Sequence, residues 1–177
     1  KMARNGFPEP YWRNMPTTDF DPEHTTNWIA VLPVAAIEQH GPHLPVATDA
    51  AIAEGMVEAS VNLLPEGLPA TFLPIQEIGK SNEHISSPGT LTLSWDTVIK
   101  SWIEIGDSIL RAGVRKLVLV DSHGGNVPII DIVARELRVR FDMLCVSTGW
   151  MRFGLPEKCF DPDERIYGIH GCDVETS

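Results

Sequence analysis

The feature that most restricts the fold is a nearly all-apolar run at residues 28–36, WIAVLPVAA. A short run without alternation is typical of a strand buried on both faces, as in the middle of a parallel sheet. The run KLVLV at 116–120 predicts a second strand of this kind. Further strands are expected at 70–75 and 143–148, although Pro74 weakens the first of these two predictions.

Helical patterns lie between the predicted strands. They cover 49–64, a segment from Ser94, the expected N-cap, through Leu110, and 127–141. This alternation predicts an α/β fold with three layers, in which a mainly parallel sheet has helices on both faces. We expect residues 1–27, which contain four prolines, to form an irregular N-terminal arm, and residues 28–177 to form a single domain. Ligands of such sheets bind at the carboxyl ends of the strands.

Composition excludes several classes of function. The 177 residues include 14 Lys plus Arg and 24 Asp plus Glu, a formal net charge of −10, which argues against nucleic-acid binding. A neutral or cationic substrate is favoured, although a metal can invert that preference locally. Three cysteines at irregular spacing support neither a disulfide framework nor a zinc knuckle, and they favour a reducing, cytoplasmic location. Since no apolar run reaches the ~18 residues of a membrane span, no membrane partner is expected.

Chemically active side chains cluster just after the first predicted strand. The segment EQHGPHLP at 38–45 is followed by Thr48 and Asp49. Glu38 and His40 are two residues apart, so in an extended segment their side chains share a face. Carboxylate oxygen and imidazole nitrogen together suit divalent metals such as zinc or manganese. The alternative is that Asp49 only caps its helix and the histidines lie on a surface loop.

His123 follows the strand predicted at 116–120, so it should face the same crevice as Glu38 and His40. Gly124 and Gly125 would let the backbone approach a metal or a substrate closely. The segment DSHGGN at 121–126 could instead cradle a phosphate at a helix N-terminus. It lacks both G-x-G-x-x-G spacing and a following Lys-Ser/Thr, so nucleotide binding is the weaker interpretation.

Two further segments carry potential ligands. Glu83 and His84 lie in a loop at 79–89, and because adjacent residues seldom both face one site, a structural or subunit-contact role is favoured for them. Near the end of the chain, His170 could act as an acid or base, and either acidic residue of the same segment, Asp173 or Glu175, could complete a metal shell.

With these segments identified, the sequence resembles the creatininase (creatinine amidohydrolase) family. The resemblance implies an enzyme with two metal ions that hydrolyses cyclic or linear amides, with Asp49 bridging the metals and His170 as the proton donor. By the same likeness, the metal ligands would be Glu38, His40, Asp49 and His123. The matching segments occur in the family's order: EQHGPHLP at 38–45 with Thr48 and Asp49, Glu83-His84 with PGTLT at 88–92, HGGN at 123–126, and His170-Gly171 with ETS at 175–177.

The sequence departs from creatininase at one ligand position. Creatininase has a glutamate two residues after the matching histidine, where this chain has Gly125. Glu175 is the expected substitute, with a place among the ligands and the catalytic groups, and Glu83 is the next candidate. The departure puts creatinine itself in doubt as the substrate. Family members are usually longer, so we also expect a fragment truncated at its C-terminus.

These features lead to a functional hypothesis. We expect a metal-activated hydroxide, formed with two divalent ions of zinc, manganese or iron, to cleave a non-peptide C–N bond of a small amide. The alternatives are a formamide deformylase or a peptidase of the same family, or a non-catalytic relative that only binds metal. The resemblance also implies a homo-oligomer, specifically a hexamer.

Overall fold

A four-stranded parallel sheet forms the centre of the computed structural model, which describes residues 6–156 and 159–176. The strand order is β2-β1-β3-β4, and every neighbouring pair is parallel, which confirms the predicted sheet. The second strand is shorter than predicted and ends at Phe72, although contact with β1 resumes as an isolated bridge between Val34 and Gln76. The strands are β1 (Ile29–Val34), β2 (Ala70–Phe72), β3 (Lys116–Asp121) and β4 (Leu144–Gly149).

The three long helices occur where the apolar spacing predicted them. Ser94 takes the N-cap position of its helix with an extended backbone, but its hydroxyl contacts Thr97 Oγ1 at 2.8 Å instead of a backbone amide. The helices are α1 (Pro22–Thr25), α2 (Thr48–Asn62), α3 (Trp95–Arg111), α4 (Val127–Phe141), α5 (Pro162–Tyr167) and α6 (Asp173–Thr176). Short 3-10 turns lie at Trp12–Asn14, Thr17–Asp19, Asn82–His84, Gly124–Asn126 and Trp150–Phe153.

Packing on the two faces of the sheet gives the three predicted layers. Helices α3 and α4 lie against the larger core, and a Cβ at Gly106 would be only 2.5 Å from Leu137 Cδ2, so glycine permits their close contact. Helix α2 packs on β1 through a smaller cluster that includes Ala50 and Ala53. Met15 of the N-terminal arm is buried in the larger core.

The strand order changes direction between β1 and β3, the two central strands of the sheet. The connection through α2 leads from β1 outward to β2, and the connection through α4 leads from β3 outward to β4. The carboxyl ends of β1 and β3, which pair along their whole length, therefore border the crevice at which open α/β sheets bind ligands. None of the described helices has the length and apolar character to cross a membrane.

Candidate metal centre

The structure brings together the four side chains that the sequence singled out as ligands. Glu38 and His40 follow β1, Asp49 lies in the first turn of α2, and His123 follows β3. Asp49 Oδ1 is 3.2 Å from His40 Nε2, and Asp49 Oδ2 is 3.2 Å from His123 Nδ1. Glu38 Oε1 also lies 3.2 Å from His123 Nδ1. All four residues are buried, three of them completely. We call these four residues the ligand cluster.

The polar atoms at the centre of this cluster have no hydrogen-bond partners among the described residues. They are Glu38 Oε1, His40 Nε2 and both carboxylate oxygens of Asp49. Buried polar atoms in proteins are nearly always paired, so several unpaired atoms pointing at one another call for a bound group. Because these atoms are oxygens and imidazole nitrogens, a divalent metal ion fits them chemically.

Backbone carbonyls fix the tautomers of both imidazoles. His123 Nε2 lies 2.9 Å from the carbonyl oxygen of Lys80, and His40 Nδ1 lies 3.1 Å from that of Glu38. A carbonyl oxygen only accepts, so these two nitrogens carry the hydrogens. In the neutral rings, the lone pairs of His123 Nδ1 and His40 Nε2 face the carboxylates, which is the arrangement of histidines that ligate metals.

The electrostatics of the cluster favour a cation. Burial alone would lower the pKa of the His123 imidazole, but the carboxylates of Asp49 and Glu38 raise it to about 10. Burial would also raise the pKa of the Glu38 carboxyl, yet His123 and the Ser81 hydroxyl lower it to about 2. Glu38 is therefore ionised at neutral pH, and the cluster attracts positive charge.

Ser81 orients the carboxylate of Glu38. Its side chain is completely buried, and its hydroxyl donates a hydrogen bond to Glu38 Oε2. Its backbone N–H donates to Thr92 Oγ1 at 2.8 Å, which holds the residue in place. Because Oε2 is engaged in this way, Oε1 faces the imidazole of His123. Sequence reasoning missed Ser81, since a serine in a loop of glycine, serine and asparagine gives no signal of its own.

Asn126 ties the two loops of the site together. Its Oδ1 accepts from the Lys80 N–H at 2.9 Å, and its Nδ2 donates to the Ala35 carbonyl at 3.0 Å.

Asp121 Oδ1 accepts from the backbone N–H of His123 at 3.0 Å and so fixes the turn after β3. Burial raises the pKa of the Asp121 carboxyl to about 7. A Cβ at Gly79 would lie 2.5 Å from Asn126 Oδ1, so glycine is required there.

The final described segment lies against the ligand cluster. Glu175, in α6, places Oε1 3.9 Å from His40 Nε2, and its Oε2 accepts from the backbone N–H of Gly171. His170 Nδ1 lies 3.6 Å from Glu38 Oε1 and 3.8 Å from Glu175 Oε2. Both sequence-predicted residues are thus brought to the site. The last residue of the ETS match, at position 177, lies outside the described residues.

The space beside Gly125 is already occupied. A Cβ on Gly125 would lie 2.4 Å from Glu83 Oε1 and 2.5 Å from the Lys80 carbonyl oxygen. A glutamate at position 125 would require the loop of Lys80 and Glu83 to move. The metal ligand that creatininase has at this position therefore has no counterpart here. Two carboxylates lie near enough to take its place. Glu175 groups with His40 and Asp49, and Glu83 groups with Glu38 and His123.

Glu83 and His84 differ from the expectation that adjacent residues would not both face the site. Glu83 Oε1 lies 3.6 Å from His123 Nε2, and His84 Nε2 lies 3.9 Å from Glu38 Oε2. The His84 ring stacks on that of His170 with 4.4 Å between centroids. Both residues lie in the 3-10 turn Asn82–His84, in which consecutive side chains are about 120° apart, so they approach the cluster from different directions.

Comparison with known proteins places the chain in a family. The family model Creatininase, described as creatinine amidohydrolase, matches residues 13–177, and the chain therefore belongs to the creatininase family. The mycofactocin precursor peptide peptidase of Mycolicibacterium smegmatis is 30% identical over 136 residues, which cover 76% of this chain and 53% of that protein. The creatinine amidohydrolase of Pseudomonas putida is 33% identical over 118 residues, covering 62% of this chain and 44% of the relative.

Solved structures agree with this assignment at the level of the fold. A structure named Creatininase Mn aligns with a TM-score of 0.69 and 23% identity, covering 91% of this chain and 65% of that one. A creatininase variant of Zn-Zn type aligns with a TM-score of 0.70 and 23% identity, covering 91% of this chain and 64% of the other. The chain spans about half the length of the curated relatives it matches.

Replacing the buried hydroxyl of Ser81 should weaken metal binding. We expect Ser81→Ala to lower zinc affinity about 10–100-fold, because the Glu38 carboxylate loses the donor that orients it. Ser86→Ala, at an exposed position of the same loop, is the matched control and should bind zinc like the wild type. Competition with a chromogenic chelator measures both affinities. Equal affinities in the two variants would show that Ser81 does not support the ligand.

Asp49 should be needed for the binding of two metal ions, and His40 for the binding of one. Since the two oxygens of Asp49 face different imidazoles, Asp49→Ala should lower occupancy at both positions, whereas His40→Ala should weaken mainly one. Elemental analysis after dialysis against zinc measures the metal content per chain. Glu54→Ala removes an exposed carboxylate from the same helix and should keep the full content. A loss of one ion in both Asp49→Ala and His40→Ala would contradict the bridging role.

Proposed function

We propose that this chain holds two divalent metal ions and hydrolyses the C–N bond of a small cyclic or linear amide. The observation that carries the proposal is the position of Asp49 between two imidazoles, one from the segment after β1 and one from the segment after β3, with one oxygen facing each. A carboxylate offers two oxygens to two cations. The buried polar atoms around it have no hydrogen-bond partners among the described residues, and bound cations would pair them. Membership of the creatininase family supports the same activity.

The ligand cluster divides into two groups that share Asp49. Glu38, Asp49 and His123 would hold one ion. His40 and Asp49 would hold the other together with Glu175, which lies outside the cluster. Ions held there would lower the pKa of a water molecule and polarise the carbonyl group of the amide. Zinc and manganese both suit the oxygen and nitrogen donors, and both metals appear in the names of structurally similar creatininases.

His170 would supply the proton for the departing nitrogen. The Gln39 carbonyl oxygen lies 2.7 Å from its Nε2, which therefore carries a hydrogen, and its Nδ1 faces the cluster. A proton on Nδ1 is directed at the place where the amide would bind. The carboxylate of Glu175 lies 3.8 Å from that nitrogen. General acid catalysis of this kind contributes about 10²–10⁴-fold to the rate.

A peptide is the second candidate substrate. The supporting observation is the 30% identity to a mycofactocin precursor peptide peptidase over 76% of this chain. A peptide bond is itself a C–N amide bond, so the same ligands and the same proton donor would serve. The substrate is then distinguished by the walls of the crevice and not by the ligand cluster.

The activity is tested with metal-loaded protein and a panel of amides. Purified protein supplied with zinc or manganese is assayed against creatinine, simple formamides and lactams, and short peptides. We expect turnover of at least one class, its loss on chelation, and its recovery when metal is returned. Stoichiometric metal binding with no turnover across the panel would favour a non-catalytic metal-binding relative. Protein that retains no metal would contradict both functions.

Variants at His170 and Glu175 separate proton transfer from metal binding. His170→Ala should keep both metals and lose about 10²–10⁴-fold in turnover, because it removes the acid. Glu175→Ala should lose one metal as well as activity, since Glu175 is the carboxylate beside His40. His24→Ala removes an exposed histidine of α1 and serves as the control. Full metal content and full activity in both variants would contradict these roles and leave Glu83 as the remaining carboxylate.

A further inference from the structure

Gln39 contacts two of the imidazoles at the site through different atoms. Its backbone carbonyl accepts from His170 Nε2 at 2.7 Å, and its side-chain Nε2 lies 2.9 Å from His84 Nδ1. Its own backbone N–H donates to Thr90 Oγ1 at 3.2 Å. The residue lies between Glu38 and His40 in the chain, yet its side chain points away from the ligand cluster and toward the loop that carries His84.

The orientation of the Gln39 amide is set by a third contact. Gln39 Oε1 accepts from the backbone N–H of Gly41 at 2.9 Å, so the NH₂ group is the end that faces His84. An NH₂ group only donates, and His84 Nδ1 must therefore accept. In the neutral ring the hydrogen then lies on His84 Nε2. That nitrogen is on the side of the cluster, 3.9 Å from Glu38 Oε2.

The hydrogen on His84 Nε2 is not used by Glu38. A separation of 3.9 Å is too long for a hydrogen bond, and Glu38 Oε2 already accepts from the Ser81 hydroxyl. The His84 ring is held by stacking on His170, with 4.4 Å between centroids and an interplanar angle of 21°. A donor thus stands beside the proposed acid, at the edge of the ligand cluster.

We propose that His84 donates a hydrogen bond from its Nε2–H to the carbonyl oxygen of the substrate. Gln39 is the positioning residue, because its NH₂ group keeps the hydrogen of the neutral His84 ring on Nε2. The inference rests on the proposed amide hydrolysis and adds a donor to it. A donor aimed at an oxygen that gains negative charge during the attack stabilises the transition state more than the bound amide. Its loss therefore lowers kcat more than it raises KM.

Gln39→Glu is the sharpest test because it keeps the shape of the side chain. A carboxylate still accepts from the Gly41 N–H, but it also accepts from His84 and so draws the hydrogen to Nδ1. Gln76→Glu is the matched control, since it makes the same change at the other glutamine, whose amide donates to the Pro74 carbonyl. His84→Phe retains an aromatic ring to stack on His170 and removes both nitrogens.

Two measurements are made on zinc-loaded protein. In nitrogen-15 NMR, the imidazole signal missing from His84→Phe identifies His84. At a pH at which the ring is neutral, we expect the hydrogen on Nε2 in the wild type and on Nδ1, with Nε2 unprotonated, in Gln39→Glu. Turnover of the amide should fall about 10²-fold in Gln39→Glu and in His84→Phe, with kcat carrying the loss and the zinc content unchanged. In the His84→Phe background, Gln39→Glu should have little further effect.

Several results would overturn the inference. They are a hydrogen on Nδ1 of His84 in the wild type, full turnover in Gln39→Glu despite the altered tautomer, and full turnover in His84→Phe, which would reduce His84 to a stacking partner. Failure of this inference is distinguishable from failure of the proposed function. The tautomer is read by NMR independently of turnover, and the wild-type assay alone decides whether any amide is hydrolysed.

Discussion

The carboxylate of Asp49 is completely buried between two imidazoles, and this placement governs the rest of the site. A buried carboxylate is costly unless positive charge or hydrogen-bond donors compensate it. Neither oxygen of Asp49 has a hydrogen-bond partner among the described residues, so the compensation has to come from cationic charge. The carboxylates of Asp49 and Glu38 raise the pKa of His123 to about 10, so a proton on His123 would supply this charge, and so would a metal ion bound in place of that proton.

Uncharged groups give this cluster its geometry. The Ser81 hydroxyl selects which oxygen of Glu38 faces inward, and the Lys80 carbonyl selects which nitrogen of His123 does so. Asn126 then joins the loop of Lys80 to the end of β1 by donating to the Ala35 carbonyl. These contacts contribute orientation instead of charge, and orientation decides whether the ligand atoms can share an ion.

The carboxylate proposed in place of the one missing at Gly125 comes from another part of the chain. Glu83 and the Lys80 carbonyl fill the space beside Gly125, and the proposed replacement is Glu175 in the four-residue helix α6. A ligand on such a short element depends on local contacts, here the Gly171 N–H and the neighbouring His170. The segment that completes the proposed metal shell therefore also carries the proposed acid, which couples metal binding to proton transfer.

The sequence by itself determined the layers of the fold and the edge at which the site lies. Apolar runs without alternation predicted β1 and β3, and helical spacing predicted α4 at 127–141, because burial on two faces and on one face leave different periods. The carboxyl-end rule for parallel strands then placed His123 beside His40. Only the tertiary structure decided the opposed oxygens of Asp49, the tautomers of the imidazoles and the inward positions of Glu83 and His84. Several of the contacts that set these features join residues 43 to 46 positions apart, such as Ser81 with Glu38 and Gln39 with His84. No local pattern records hydrogen bonds of that range, because their geometry exists only after the sheet has brought the loops together.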